Sequence, residues 1–64
     1  MSEREIAIFT TSKQALEEAV YCANNETKYY SIINYGVNFG VIPHAKVLPE
    51  DIIYETIVPK ELMR

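Results

Sequence analysis

The segment from Lys28 to Pro43 is apolar on both of its alternating faces, and this feature constrains the fold more than any other. It reads KYYSIINYGVNFGVIP, with turn-forming residues near its centre. Successive side chains of a strand point to opposite faces of a sheet, so such a hairpin is expected between two layers or against another molecule. We predict strands from Lys28 to Tyr35 and from Val37 to Ile42.

The turn of this hairpin admits two registers. With a two-residue turn at Tyr35-Gly36, one face holds Tyr30, Ile32, Val37, Phe39 and Val41. The other face then holds Tyr29, Ile33, Tyr35 and Ile42. With a three-residue turn at Asn34-Tyr35-Gly36, Tyr29 and Ile33 change faces with Tyr30 and Ile32. A Tyr and an Ile remain on the second face in either register, and we favour Tyr29 and Ile33 as the outward pair.

One strand and one helix are predicted before the hairpin. Glu5 to Thr10 (EIAIFT) has the pattern of a strand buried on both faces. Thr11 to Gln14 fits a capping box that starts a helix. The pair Asn24-Asn25 is of a residue type that tolerates the left-handed conformation in which helices end. The expected buried stripe of this helix consists mostly of small side chains: Ala15, Leu16, Ala19, Val20, Cys22 and Ala23.

The last segment, from Ile52 to Val58, is ambiguous between helix and strand. Pro49 to Asp51 would suit the first turn of a helix. Five of the seven residues are β-branched, however, which favours a strand. We therefore predict an α+β fold in the order strand, helix, strand, strand, strand, with the helix packed on one face of a small mixed or antiparallel sheet. The second face of that sheet is expected to be open.

The size of the chain favours association with a partner. With 64 residues it is expected to form one domain, and such a chain buries only about 60% of the surface that it exposes when unfolded. Small domains often compensate with disulfides, a structural metal or oligomerisation. Cys22 and His44 are single residues of their types, so one copy forms neither an internal disulfide nor a Cys/His zinc site. We expect oligomerisation or partner binding, and no metal or cofactor.

Charge and hydropathy limit the classes of partner. A net charge of −3 disfavours non-specific attraction to nucleic acid or anionic membranes. No apolar run approaches the ~20 residues of a membrane span, and the charged start lacks a signal-like core, so we expect a cytoplasmic protein. Eight isoleucines against three leucines favour sheet. The same bias is typical of an AT-rich genome, as in a low-GC bacterium or its phage.

The sequence contains no recognisable catalytic motif. His44 is a candidate general base, but no serine or cysteine nucleophile lies near it in the sequence. Cys22 belongs to the buried helix stripe, where a free thiol behaves as a small hydrophobe. Glu17-Glu18 and Glu50-Asp51 are adjacent pairs that suit solvent-facing positions better than a catalytic dyad. A small enzyme that uses His44 is kept as an alternative function.

The tyrosines offer another alternative and the main functional prediction. Tyr29, Tyr30 and Tyr35 on a sheet would stack the bases of single-stranded nucleic acid, but Lys28 is the only basic residue of the hairpin. Tyrosine also anchors protein interfaces. We predict a non-enzymatic interaction module, such as a regulator, inhibitor or accessory subunit, that forms homo-oligomers or binds another protein. The predicted contacts lie on the open face: Tyr29, Ile33, Tyr35, Asn38 and Ile42.

Overall fold

One helix packs on a four-stranded antiparallel sheet, which confirms the predicted α+β fold. The computed structural model describes residues 5–62. Its elements are β1 (Ala7–Phe9), α1 (Ser12–Glu26), β2 (Tyr30–Tyr35), β3 (Asn38–Pro43) and β4 (Ile52–Ile57), with short 3-10 turns at His44–Lys46 and Lys60–Leu62. The strands lie in the order β1-β3-β2-β4. The ambiguous last segment is therefore a strand, and it forms one edge of the sheet.

The turn of the central hairpin differs from both predicted turns. Tyr35 pairs with Asn38, so the two turn residues are Gly36 and Val37. Gly36 has a φ of +68°, whereas Val37 is not among the residues with positive φ. A glycine with positive φ at the first turn position is characteristic of a type II′ turn, whose twist suits a hairpin. The predicted turns at Tyr35-Gly36 and Asn34-Tyr35-Gly36 are both wrong.

The faces of the hairpin nevertheless follow the two-residue prediction. The observed pairing, in which Ile32 lies opposite Val41, is displaced by two residues from the pairing that a Tyr35-Gly36 turn would give. Side chains alternate with a period of two, so an even displacement leaves every residue on its expected face. Tyr30 and Ile32 lie under α1, and Ile33 lies on the second face.

Helix α1 begins as the sequence indicates. The Thr11 hydroxyl accepts a hydrogen bond from the backbone N–H of Gln14 at 3.2 Å. This is the N-cap contact of the predicted capping box. The side chain of Gln14, however, accepts a hydrogen bond from the Thr10 hydroxyl at 3.3 Å. The cap therefore forms at Thr11, and Gln14 makes a different contact from the one expected.

The helix ends later than predicted. It continues through Asn24-Asn25 to Glu26, and Thr27 adopts the left-handed conformation with a φ of 55°. The Asn24 side-chain oxygen instead accepts a hydrogen bond from the backbone N–H of Lys60 at 2.6 Å. Asn24 therefore fastens the chain that follows β4 to the last turn of the helix.

The core beneath the helix is built on alanine. Ala15, Ala19 and Ala23 are fully buried and pack with Tyr30, Ile32, Val41 and Ile57 of the sheet. Small side chains let a helix approach a sheet closely. Leu16 and Val20, which were predicted to belong to the buried stripe, are each more than one third exposed. The helix is therefore rotated so that its alanines face the sheet and its two larger apolar side chains reach past them.

The second face of the sheet is covered along its centre, which contradicts the predicted open face. The connection from β3 to β4 runs from the Tyr30 end of β2 to its Asn34 end, and α1 occupies the other face. The first residue of this connection, His44, contacts Ser31 on the second face, with 2.7 Å between His44 Nδ1 and Ser31 Oγ. The connection therefore crosses β2 on that face.

A residue that precedes β1 adds to this cover. A Cβ built on Gly40 would lie 2.6 Å from Cγ2 of Ile6 and 3.3 Å from Cγ1 of Ile33. Ile6 therefore lies directly over Gly40 on the second face. Ser31, Ile33 and Ile42, which belong to this face, have 0% exposed surface. The apolar hairpin is thus enclosed on both sides.

Candidate interaction surface at the β4 edge

The five residues predicted to bind a partner do not form one exposed surface. Ile33 and Ile42 are fully buried, because the second face is covered by other parts of the same chain. Tyr29 and Tyr35 are each nearly half exposed, but they lie at opposite ends of β2, about 20 Å apart. Asn38 pairs with Tyr35 beside the turn and is partly buried. The prediction that Ile33 and Ile42 face outward is wrong. Partner contact through Tyr29, Tyr35 and Asn38 stays a prediction.

The exposed apolar side chains of β4 form a different candidate surface. Ile52, Ile53 and Tyr54 are 66%, 42% and 51% exposed. Within the described sheet β4 pairs with β2 alone, so backbone groups along its other side are free of the ladder. The strand contains no proline, and Glu55 is its single charged residue. Natural edge strands are commonly shortened, charged or covered, because an edge of this kind is a template for another strand.

A bulge in β4 sets the direction of Tyr54. Two consecutive residues of β2 pair with Glu55 and Ile53, so Tyr54 is the extra residue between them. The Tyr54 ring reaches across β2 to the ring of Phe39, with 5.3 Å between ring centroids and 67° between ring planes. This edge-to-face contact is favourable for aromatic pairs. It holds the half-exposed tyrosine on the face that carries α1.

A groove of about 480 Å³ separates α1 from β4. Leu16 and Val20 line its helix side, and Ile57 lines its strand side. The groove exists because the alanines bring α1 down over the centre of the sheet, while β4 lies at the edge. We use the term β4 surface for the exposed edge of β4, with Ile52, Ile53 and Tyr54, together with Leu16 and Val20 across the groove.

The second cavity, of about 890 Å³, lies between α1 and the β1 side of the sheet. Cys22 donates a hydrogen bond to Glu18 at 3.3 Å, and burial together with this contact raises the pKa of its thiol to about 11. Tyr30 donates to Glu26 at 2.8 Å, and burial together with this bond raises the pKa of its hydroxyl to about 12. Both groups are protonated at neutral pH, so neither is a ready nucleophile here.

The fold brings a serine next to His44, which the sequence alone did not reveal. Ser31 Oγ lies 2.7 Å from His44 Nδ1 and 3.4 Å from Thr56 Oγ1. Serine beside histidine is the arrangement of an activated nucleophile. Ser31, however, has no exposed surface, and neither cavity described above is lined by this pair. We assign the contact to holding the β3–β4 connection against the sheet.

The Ser31–His44 contact could have been predicted from the correct register of the β2–β3 turn. With the turn at Gly36-Val37, position 44 continues the ladder opposite position 29, and the His44 N–H donates to the Tyr29 carbonyl at 3.0 Å. Ser31 is then a diagonal neighbour of His44 on the same face, within reach of its side chain. Recognising glycine at the first position of a type II′ turn is therefore sufficient to place the pair.

The tyrosines considered for base stacking are divided between the two faces. Tyr29 and Tyr35 belong to the second face, whereas Tyr30 is part of the core under α1. Tyr54 also lies on the helix side, against Phe39. The aromatic residues of the hairpin therefore do not combine into one continuous stacking platform.

The described residues contain neither a metal cluster nor a membrane-spanning helix, and the chain has no match among known proteins. Among residues 5–62, no group of three or more His, Cys, Asp or Glu side chains is placed to hold a metal ion. No helix in this described range is long and apolar enough to cross a membrane. The chain matches no protein-family model, and comparisons with curated proteins and with solved structures also give no match. The β4 surface is the candidate that the geometry supports best.

Proposed function

We propose that this protein is a small, non-enzymatic interaction module of the cytoplasm that binds a protein partner through the β4 surface. The observation that carries the proposal is the edge strand β4, which exposes Ile53 on one face of the sheet and Ile52 and Tyr54 on the other. An added strand would hydrogen-bond to the free edge, while its side chains would contact these residues. Binding of this kind is how a regulator, inhibitor or accessory subunit of this size would act.

The properties of the β4 surface suit association. Tyr54 is a large and partly pre-ordered anchor, because its ring already packs on Phe39. Tyrosines of this type commonly contribute most to an interface, and less ordering entropy is lost when the side chain is already held. The adjoining groove supplies further apolar area from Leu16 and Val20. Stable interfaces bury about 800 Å² on each partner, so the strand and the groove would be used together.

The proposal is tested by a pair of matched lysine variants. Ile52→Lys places a charge on the β4 surface, and Val37→Lys places the same charge in the β2–β3 turn, where the native side chain is 91% exposed. Association would be measured by light scattering and by affinity capture with mass spectrometry, with circular dichroism as the control for folding. We expect Ile52→Lys to lose association and Val37→Lys to keep it. Equal association by both variants, or none by the native chain, would refute the proposal.

A further inference from the structure

Along β4, the order in which successive side chains point to the two faces of the sheet is the same from either end of the strand. Opposite β2, residues 52, 55 and 57 lie on the helix side, and residues 53 and 56 lie on the second face. The bulge adds Tyr54 to the helix side, where its ring meets Phe39. From residue 52 to 57 the order is therefore helix side, second face, helix side, helix side, second face, helix side. Without the bulge, strict alternation would give the two ends of the strand opposite faces.

This symmetry selects one register for pairing β4 with another β4. Residues opposite each other in an antiparallel pair must lie on the same face of the sheet. That condition holds over the whole strand when residue 52 faces 57, residue 53 faces 56 and residue 54 faces 55. A shift by one residue in either direction breaks the match. One of these shifts also places the two Glu55 carboxylates directly opposite each other, which is destabilising.

The charges at the ends of β4 favour the same antiparallel arrangement. Glu50 lies before the strand and Lys60 lies after it, and both are exposed. In an antiparallel pair, the end of β4 that follows Glu50 and Asp51 adjoins the end of the other β4 that precedes Lys60 and Glu61, so two negative charges meet a neutral pair. A parallel pair would bring Glu50 against Glu50 and Lys60 against Lys60. Avoidance of like charges in this way favours one orientation of an interface.

We infer that the partner of the β4 surface is a second copy of this chain, joined through antiparallel β4 strands. The inference rests on the proposed function and names its partner. The two four-stranded sheets become one continuous sheet about a two-fold axis, with both helices on the same face. Leu16 and Val20 of the two copies then border a shared central groove. The edge of β4 is removed by this pairing, and so is its template for other strands.

A charge exchange tests both the partner and its orientation. Glu50→Lys and Lys60→Glu each place like charges at both ends of the paired strands, so each variant alone is expected to dimerise roughly tenfold more weakly than the native chain. In a mixture of the two variants, position 50 of one chain and position 60 of the other carry opposite charges at both ends of the pair. Sedimentation equilibrium at low salt should therefore show dimers of twice 7.4 kDa in the native chain and in the mixture, at concentrations where each variant alone is mainly monomeric.

Two outcomes would overturn this inference. One is a native chain that stays monomeric at millimolar concentration. The other is a native dimer with which the two charge variants associate no better when mixed than when separate. The proposed function is judged separately, because a monomer that still captured another protein, and lost it with Ile52→Lys, would support the β4 surface while rejecting the second copy. Circular dichroism of each variant provides the folding control.

Discussion

Replacement of Gly40 by alanine is expected to destabilise the protein, because Ile6 occupies the space that a Cβ would need. The new Cβ would lie 2.6 Å from Cγ2 of Ile6, whereas carbon atoms pack best at about 3.5–4.0 Å. Cγ2 is a branched methyl group close to the backbone, so relief requires Ile6 or its backbone to move by about 1 Å. Overpacking of this kind costs about 1–3 kcal/mol.

An opposing effect reduces this cost. Alanine in a strand is otherwise favoured over glycine by about 0.5–1 kcal/mol, because glycine loses more conformational freedom on folding. We therefore expect Gly40→Ala to lower the free energy of unfolding by about 1 kcal/mol, which is the difference between the midpoints of the two ranges. Urea denaturation followed by circular dichroism would measure the change in the transition midpoint.

A double-mutant cycle with Ile6→Ala isolates the contact. Ile6→Ala alone should destabilise the protein, because it uncovers Gly40 and Ile33. In the Ile6→Ala background, Gly40→Ala should be neutral or stabilising, since the opposing methyl group is gone. The expected coupling is about 1 kcal/mol or more, as is usual for residues in contact. If Gly40→Ala had the same effect in the native chain and in the Ile6→Ala background, Ile6 would not lie over Gly40, and this part of the cover on the second face would be refuted.

Three further predictions concern the helix and its neighbours. Thr27→Gly should raise the free energy of unfolding by about 1 kcal/mol, because Thr27 has a φ of 55°, a conformation that costs little in glycine; thermal denaturation would measure this. Cys22 should react slowly with iodoacetamide at pH 8 and faster toward pH 11, because its pKa is raised to about 11. Tyr30→Phe should lower stability at neutral pH through loss of the bond to Glu26. This bond lowers the pKa of Glu26 from its usual value, so the difference in stability should shrink in acid as the carboxylate is protonated.

Local patterns in the sequence predicted the helix and the first three strands, and they favoured a strand for the ambiguous last segment. The alternation of apolar residues and the β-branched composition of Ile52 to Val58 depend only on neighbouring residues, and every strand boundary lies within two residues of its predicted position. The Thr11 cap is equally local. The helix end was missed because the left-handed residue is Thr27, a β-branched residue type that seldom adopts this conformation. Asn24 instead accepts a hydrogen bond from Lys60, which is distant in the sequence.

The turn and the cover of the second face could not be predicted in the same way. Tyr35, Gly36 and their neighbours are compatible with several turns, and the choice depends on which pairing of Ile32 and Val41 best fills the core under α1. The cover requires the strand order β1-β3-β2-β4, which sends the β3–β4 connection across β2. No short-range pattern specifies that order. It follows from the packing of the whole chain.

A strand that is apolar on both faces needs neighbours on both, and β4 meets this requirement less well than the hairpin does. β2 and β3 lie at the centre of the sheet between α1 and the covered second face, so their two-sided apolar composition is satisfied within one chain. β4 has the same composition, with Ile53 on one face and Ile52 and Tyr54 on the other, yet it lies at an edge where these side chains stay exposed. Pairing with a second β4 would make it a central strand. The same physical rule thus accounts for the covered hairpin and motivates the proposed dimer.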